Sequence, residues 1–153
     1  MHIAFELPEP WTCEVGDRLR VWTRPDLSIR VEVDELHELP VDRQRWGVQV
    51  LNRNLPSGGS IRQNEIMNST NHKGWPLTLV STAALDAGGN VVESRITLFY
   101  EFLYHGGTLA VRITRDDVER WEAELREPVM DLMMRVEPVF AGDEVAGVAE
   151  LWD

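Results

Sequence analysis

The stretch from Val91 to Thr114 constrains the fold most. Between Val91 and Tyr104 the chain has no proline or glycine and is rich in β-branched and aromatic residues. Such a run reads as a long strand. Ile96, Leu98, Tyr100, Phe102 and Tyr104 recur at period two and share one face. Arg95, Thr97, Phe99, Glu101 and Leu103 share the other. His105-Gly106-Gly107 reads as a turn into a second strand, Thr108–Thr114, where Leu109, Val111 and Ile113 alternate with Ala110 and Arg112. Strands joined by so short a connection pair antiparallel, so the chain is expected to build an antiparallel sheet.

The remaining segments extend that sheet and add two helices. Arg18–Thr23 and Leu27–Val33 alternate around the turn Pro25-Asp26, giving an early hairpin. Val41, Val48, Leu51 and Leu55 fall on one helical face, with Asp42 placed to start the helix and Pro56–Ser60 to end it. Ile61–Asn71 is a polar strand of weak apolar content, Gly74-Trp75-Pro76 marks a bend, and Leu77–Leu85 is a strand closed by the turn Asp86–Asn90. Val118, Trp121, Leu125, Val129, Leu132 and Val136 form the stripe of a C-terminal helix, and Asp116, Asp117 and Glu119 place negative charge at its start. Pro128 lies within the stripe and predicts a kink or a division into two short helices. The expected class is α+β: an antiparallel sheet of six to seven strands, one helix after the first strands, and one long C-terminal helix packed on the sheet. At 153 residues the chain suits a single domain over 1–153, with a core at 3–137 and an extension at 138–153 that forms a short strand or docks on the core.

Charge and residue chemistry exclude many functions. A formal net charge of −11 disfavours nucleic acid and anionic membranes as general partners. No leader-like start and no apolar run of spanning length occur, so a cytoplasmic location is expected. The single cysteine, Cys13, excludes an internal disulfide and a thiolate metal site, and a buried or half-buried thiol is its expected state. His2, His37, His72 and His105 are scattered; the acidic surroundings of His37 lack metal-ligand spacing. No Gly-x-Ser-x-Gly or phosphate-loop pattern occurs, and Gly58-Gly59, Gly88-Gly89 and Gly106-Gly107 read as turns. Asp116-Asp117 and Glu122-Ala123-Glu124 fit a helix start and a solvated face better than acid–base chemistry. No catalytic residue, metal or cofactor is expected.

The second face of the long strand is the informative feature. Phe99 and Leu103 stand there among Arg95, Thr97 and Glu101, and Trp22 is in phase with Arg20 and Arg24 rather than with Leu19 and Val21. Two readings stay open. Either a helix covers this face and makes three layers, or the face is a platform of apolar islands in a polar surround, as a partner groove is. On the second reading Trp22, Phe99 and Leu103 contact a partner, while Arg20, Arg24 and Glu101 orient it. Met130, Met133 and Met134 suit adaptable contacts, but core filling is the favoured role.

Phe5-Glu6-Leu7-Pro8-Glu9-Pro10-Trp11, the helix around Trp46–Leu55, Gly74-Trp75-Pro76, Phe99-Tyr100-Glu101-Phe102 and Leu109–Thr114 follow one another in an order that, with the final helix, resembles the Mog1/PsbP-like fold. The likeness spans roughly residues 3–137 and is nearest the bacterial DcrB-like branch, which includes Eag-type chaperones of type VI secretion effectors. The resemblance implies a non-enzymatic module that binds another protein. An adaptor or chaperone holding an apolar segment of a partner against the sheet is the leading expectation. From the charge and compact size, an acidic immunity protein masking a basic toxin is a second, and an enzyme or small-ligand carrier with a pocket at Trp121, Tyr100 or Met133 is a third. A homodimer is compatible with all three.

Overall fold

The computed structural model describes residues 2–36, 38–53, 55, 57–103 and 105–139. Among these residues, nine strands and a set of short helices follow one another as β1 (His2–Ala4), β2 (Thr12–Val15), β3 (Leu19–Thr23), β4 (Ile29–Leu36), α1 (Arg43–Leu51), β5 (Ser60–Thr70), β6 (Pro76–Leu85), β7 (Val91–Phe102), β8 (His105–Thr114), α2 (Val118–Arg120), α3 (Arg126–Met133) and β9 (Glu137–Val139). A seven-stranded antiparallel sheet has the order β2-β3-β4-β8-β7-β6-β5, and β1 pairs with β9 in a separate two-stranded sheet. The architecture is the α+β class expected, with one helix after the first strands and a C-terminal helical segment.

The turns follow local chemistry. Asp86 Oδ1 accepts hydrogen bonds from the Gly88 and Asn90 amides, both at 2.9 Å, and Gly89 supplies the positive φ of +81° that closes β6 onto β7. Asn71 Oδ1 accepts from the Trp75 amide at 2.9 Å, while its Nδ2 donates to the Val136 carbonyl at 2.9 Å. That buried amide thereby ties the β5–β6 bend to the end of α3. Asp42 caps α1 by accepting from the Arg45 amide at 3.0 Å.

Gly106-Gly107 corrects one expectation. Both glycines lie inside β8, and Phe102 pairs directly with His105, so the chain reverses before the glycines rather than at them. Leu103 takes the left-handed conformation there, with φ +51°. The glycines are needed for close approach. A Cβ on Gly107 would run into the Tyr100 ring and the Asp34 carbonyl, and one on Gly106 into Leu39 and the Tyr100 carbonyl.

The core lies on one face of the large sheet. Leu98, Tyr100 and Phe102 of β7, Leu109, Val111 and Ile113 of β8 and Ile29, Val31 and Val33 of β4 are all buried against Trp121, Leu125, Val129 and Met133. Ile96 joins them half-buried, as its phase required; Tyr104 lies outside the described residues. Pro128 acts through the turn before it. Residues Trp121–Leu125 form a π turn between α2 and α3, which leaves Pro128 as the third residue of α3. In a first turn the missing N–H has no intrahelical acceptor to lose.

Candidate functional site

Strand register defines the second face of the sheet. Glu32 and Asp34 of β4, Thr108, Ala110 and Arg112 of β8, and Glu93, Arg95, Thr97, Phe99 and Glu101 of β7 line up across the strands. Charged side chains dominate the middle. Arg112 donates to Glu32 at 3.0 Å and to Glu93 at 2.9 Å, and Arg95 contacts Glu93 closely. Burial works against the Arg112 charge, but the Glu93 and Glu32 carboxylates outweigh it and hold its pKa above the usual guanidinium value.

Helix α1 covers this charged centre. Arg95 Nη1 donates to the Leu51 carbonyl at 2.7 Å, placing a cation at the helix C-terminus where the dipole favours it. Arg53 reaches Asp34 at 2.6 Å, and Arg43 reaches Glu101 at 2.9 Å. Trp46 meets Phe99 edge to face with centroids 5.4 Å apart. No residue of α1 is fully buried, so the helix rests on polar anchors and one aromatic pair rather than on a packed interface. The helix cover is partial: a third layer exists at Arg95, Thr97 and Thr108, and it stops short of β5 and β6.

Beyond that limit lies an apolar groove of about 490 Å³. Trp46, Val48 and Leu51 form its helix wall, and Ile66, Val80 and Phe99 its sheet wall. Val48 is 53% exposed and Ile66 52%, an unusual state for two aliphatic side chains in one hollow. Gln44, Gln63 and the Arg43–Glu101 pair supply polar groups around it.

The six residues singled out in the sequence do not share this site. Phe99 and Glu101 belong to it. Trp22 lies on the opposite, core face, paired with Val31, and is 4% exposed. Register with β4 sets the phase of β3, overriding its own weak alternation and sending Leu19 outward. Phe5 stacks edge to face on Trp22 at 5.2 Å. Arg20 lies over Trp22 and donates to the Ile3 and Phe5 carbonyls, and Arg24 lies over Trp11. Leu103 packs against the core cluster from the β7–β8 connection. Trp46, Val48, Leu51, Ile66 and Val80 escaped the sequence reading. The usable signal was Ile66-Met67, two adjacent apolar residues in an otherwise polar strand.

Other candidates resolve as structure. Cys13 is exposed rather than buried, because β2 is an edge strand whose residues are all exposed. Trp121, Tyr100 and Met133 are each at most 2% exposed and fill the space between sheet and C-terminal helix where a carrier pocket was considered. Among the described residues, no group of three or more His, Cys, Asp or Glu is placed to hold a metal ion, and no helix is long and apolar enough to cross a membrane. His37 and residues 140–153, most of the expected extension, lie outside the described residues.

No protein-family model matches the chain, and no curated protein matches it significantly. Solved structures do. The solution structure of cyanobacterial PsbP (CyanoP) from Synechocystis sp. PCC 6803 superposes with a TM-score of 0.61 at 12% identity, over 90% of this chain and 86% of that one. A Pseudomonas aeruginosa protein of unknown function, PA94, gives a TM-score of 0.48 at 13% identity, over 86% of this chain and 98% of that one. The likeness to PsbP establishes a Mog1/PsbP-like fold.

Proposed function

We propose that this chain is a non-enzymatic protein-binding module, an adaptor or chaperone of the DcrB-like kind, that holds an apolar segment of a partner protein in the groove between α1 and β5–β7. The observation carrying the reading is the pair of exposed aliphatic side chains, Val48 and Ile66, facing one hollow floored by Val80 and Phe99. A monomer gains nothing by leaving such surface wet, since each buried methylene is worth about 0.8 kcal/mol. The surrounding polar side chains fit the same reading, because a partner site combines an apolar centre with a polar rim. A secreted effector is the partner the fold resemblance suggests, met in the cytoplasm by a single-domain protein.

Site-specific photo-crosslinking tests this. A photoreactive residue replacing Ile66 in the full chain is expected to trap one partner protein in the cells that make it. Val48→Lys should reduce that adduct at least about tenfold while changing folding stability by no more than about 1 kcal/mol, as its exposure implies. Trapping from position 66 no better than from the exposed helix position Asp131 would refute the reading.

A further inference from the structure

The large sheet has two ends, and they are unlike each other. β2 is four residues long, whereas β5 runs for 11 residues and, among the described residues, pairs only with β6. Natural edges are blunted by brevity, proline, charged side chains, bulges or cover. β5 has two such devices at its start, a register irregularity between Gln63 and Glu65 and the charged side chains of Arg62 and Glu65. Past the irregularity, Glu65–Thr70 pairs regularly with Ser81–Pro76 and contains neither proline nor lysine. Its outward N–H and C=O groups face no further strand among the described residues. Ile66 and Met67, 52% and 43% exposed, sit in that run at successive positions and so point to opposite faces of the sheet.

We infer that Glu65–Thr70 is a docking edge, and that the apolar segment held by this protein binds as an extended strand added to β5. The inference rests on the protein-binding reading above and supplies the conformation of the bound segment. Every second side chain of the added strand would lie over the groove beside Ile66, and the intervening ones beside Met67. The segment recognised is therefore apolar on both faces rather than amphipathic.

Area and charge choose the occupant. The regular run is about 20 Å long, and with a sheet thickness near 10 Å it offers about 200 Å². A stable dimer needs about 800 Å² per partner, so edge-to-edge pairing of two copies falls well short. Each copy also carries −11, which opposes self-association. The occupant is a segment of a different polypeptide, apolar and either uncharged or flanked by basic residues.

The test uses the full chain and a probe peptide, acetyl-Lys-Val-Thr-Ile-Val-Thr-Ile-Lys-amide, beside the same peptide with every amide N-methylated. The unmethylated peptide is expected to bind, to slow amide exchange across Glu65–Thr70 at least about tenfold, and to lose at least about tenfold in affinity with Ile66→Lys. The methylated peptide should bind at least about tenfold more weakly, because it has no N–H to donate. Equal binding of both peptides would overturn strand addition while leaving the groove as a protein-binding site. Binding of neither, with tryptophan emission unmoved, would overturn the inference, and the crosslinking experiment separately decides the reading beneath it. A dimer in light scattering that Ile66→Lys dissociates would also overturn it, by making a second copy the occupant.

Discussion

Tyr100 and Gly107 show how single residues set this structure. They pair directly across β7 and β8, and the tyrosine ring crosses the space a side chain on Gly107 would need. The ring's hydroxyl is buried and has no hydrogen-bond partner among the described residues. Burial first, and then the Glu35 carboxylate, push its pKa above the ordinary tyrosine value. A raised folded-state pKa means stability that is present below about pH 10 and is lost as pH climbs beyond it. Tyr100→Phe is expected to be neutral or to stabilise by about 1 kcal/mol at pH 7, and to flatten the alkaline decline. Urea midpoints at pH 8 and pH 11 check both parts, and a loss above about 2 kcal/mol at pH 8 would show that the hydroxyl is paired. The alternation of the long strand foretold the inward ring. It could not foretell the role of Gly107, because a glycine required by a neighbour's bulk looks the same in sequence as one required by a turn.

At the level of elements, α1 is held without a single fully buried residue. Its nine residues include Gly47, where an added Cβ would sit 3.8 Å from Phe99, an ordinary contact distance. Gly47→Ala should therefore stabilise the protein by about 0.5–1 kcal/mol through helix propensity alone. Thermal melting measures this, and destabilisation would mean that the helix lies closer to the sheet than 3.8 Å allows. The start of α1 was legible because Asp42 is a capping residue, but its expected span, Val41–Leu55, exceeded the observed Arg43–Leu51. Apolar spacing continued in sequence after helical geometry had ended. The phase of β3 was misread for a related reason. Both of its faces carry apolar residues, and only pairing with β4 decides which turns inward. Pro128 does not interrupt the helix where it stands, since α3 runs through it; the irregularity falls before it, in the π turn Trp121–Leu125, which leaves no mark in residue type.

Across the whole molecule, one side of the sheet is a conventional core and the other a charged centre bordered by the apolar groove. The N-terminal strand is fastened to the core side by Arg20, which reaches the Ile3 carbonyl at 2.9 Å, the Phe5 carbonyl at 3.3 Å and Glu35 at 3.3 Å. Arg20→Met is expected to speed amide exchange at Ile3 and Phe5 by at least about tenfold, while the central strands β4, β8 and β7 keep their protection. Mass-spectrometric exchange resolves the two regions. Equal acceleration in the central strands would show that β1 belongs to the same cooperative unit. The element order was legible because consecutive hairpins leave few topologies. The groove was not, since it arises where a short helix stops covering a sheet, a distance that no sequence pattern records.

The alternation of β7 divides its residues between two masters. Leu98, Tyr100 and Phe102 answer to the packed interior, and Phe99 and Glu101 to helix α1 and the hollow beside it. Adjacent codons can thus drift under unrelated pressures, and a descendant protein can reshape the outer hollow without renegotiating its architecture.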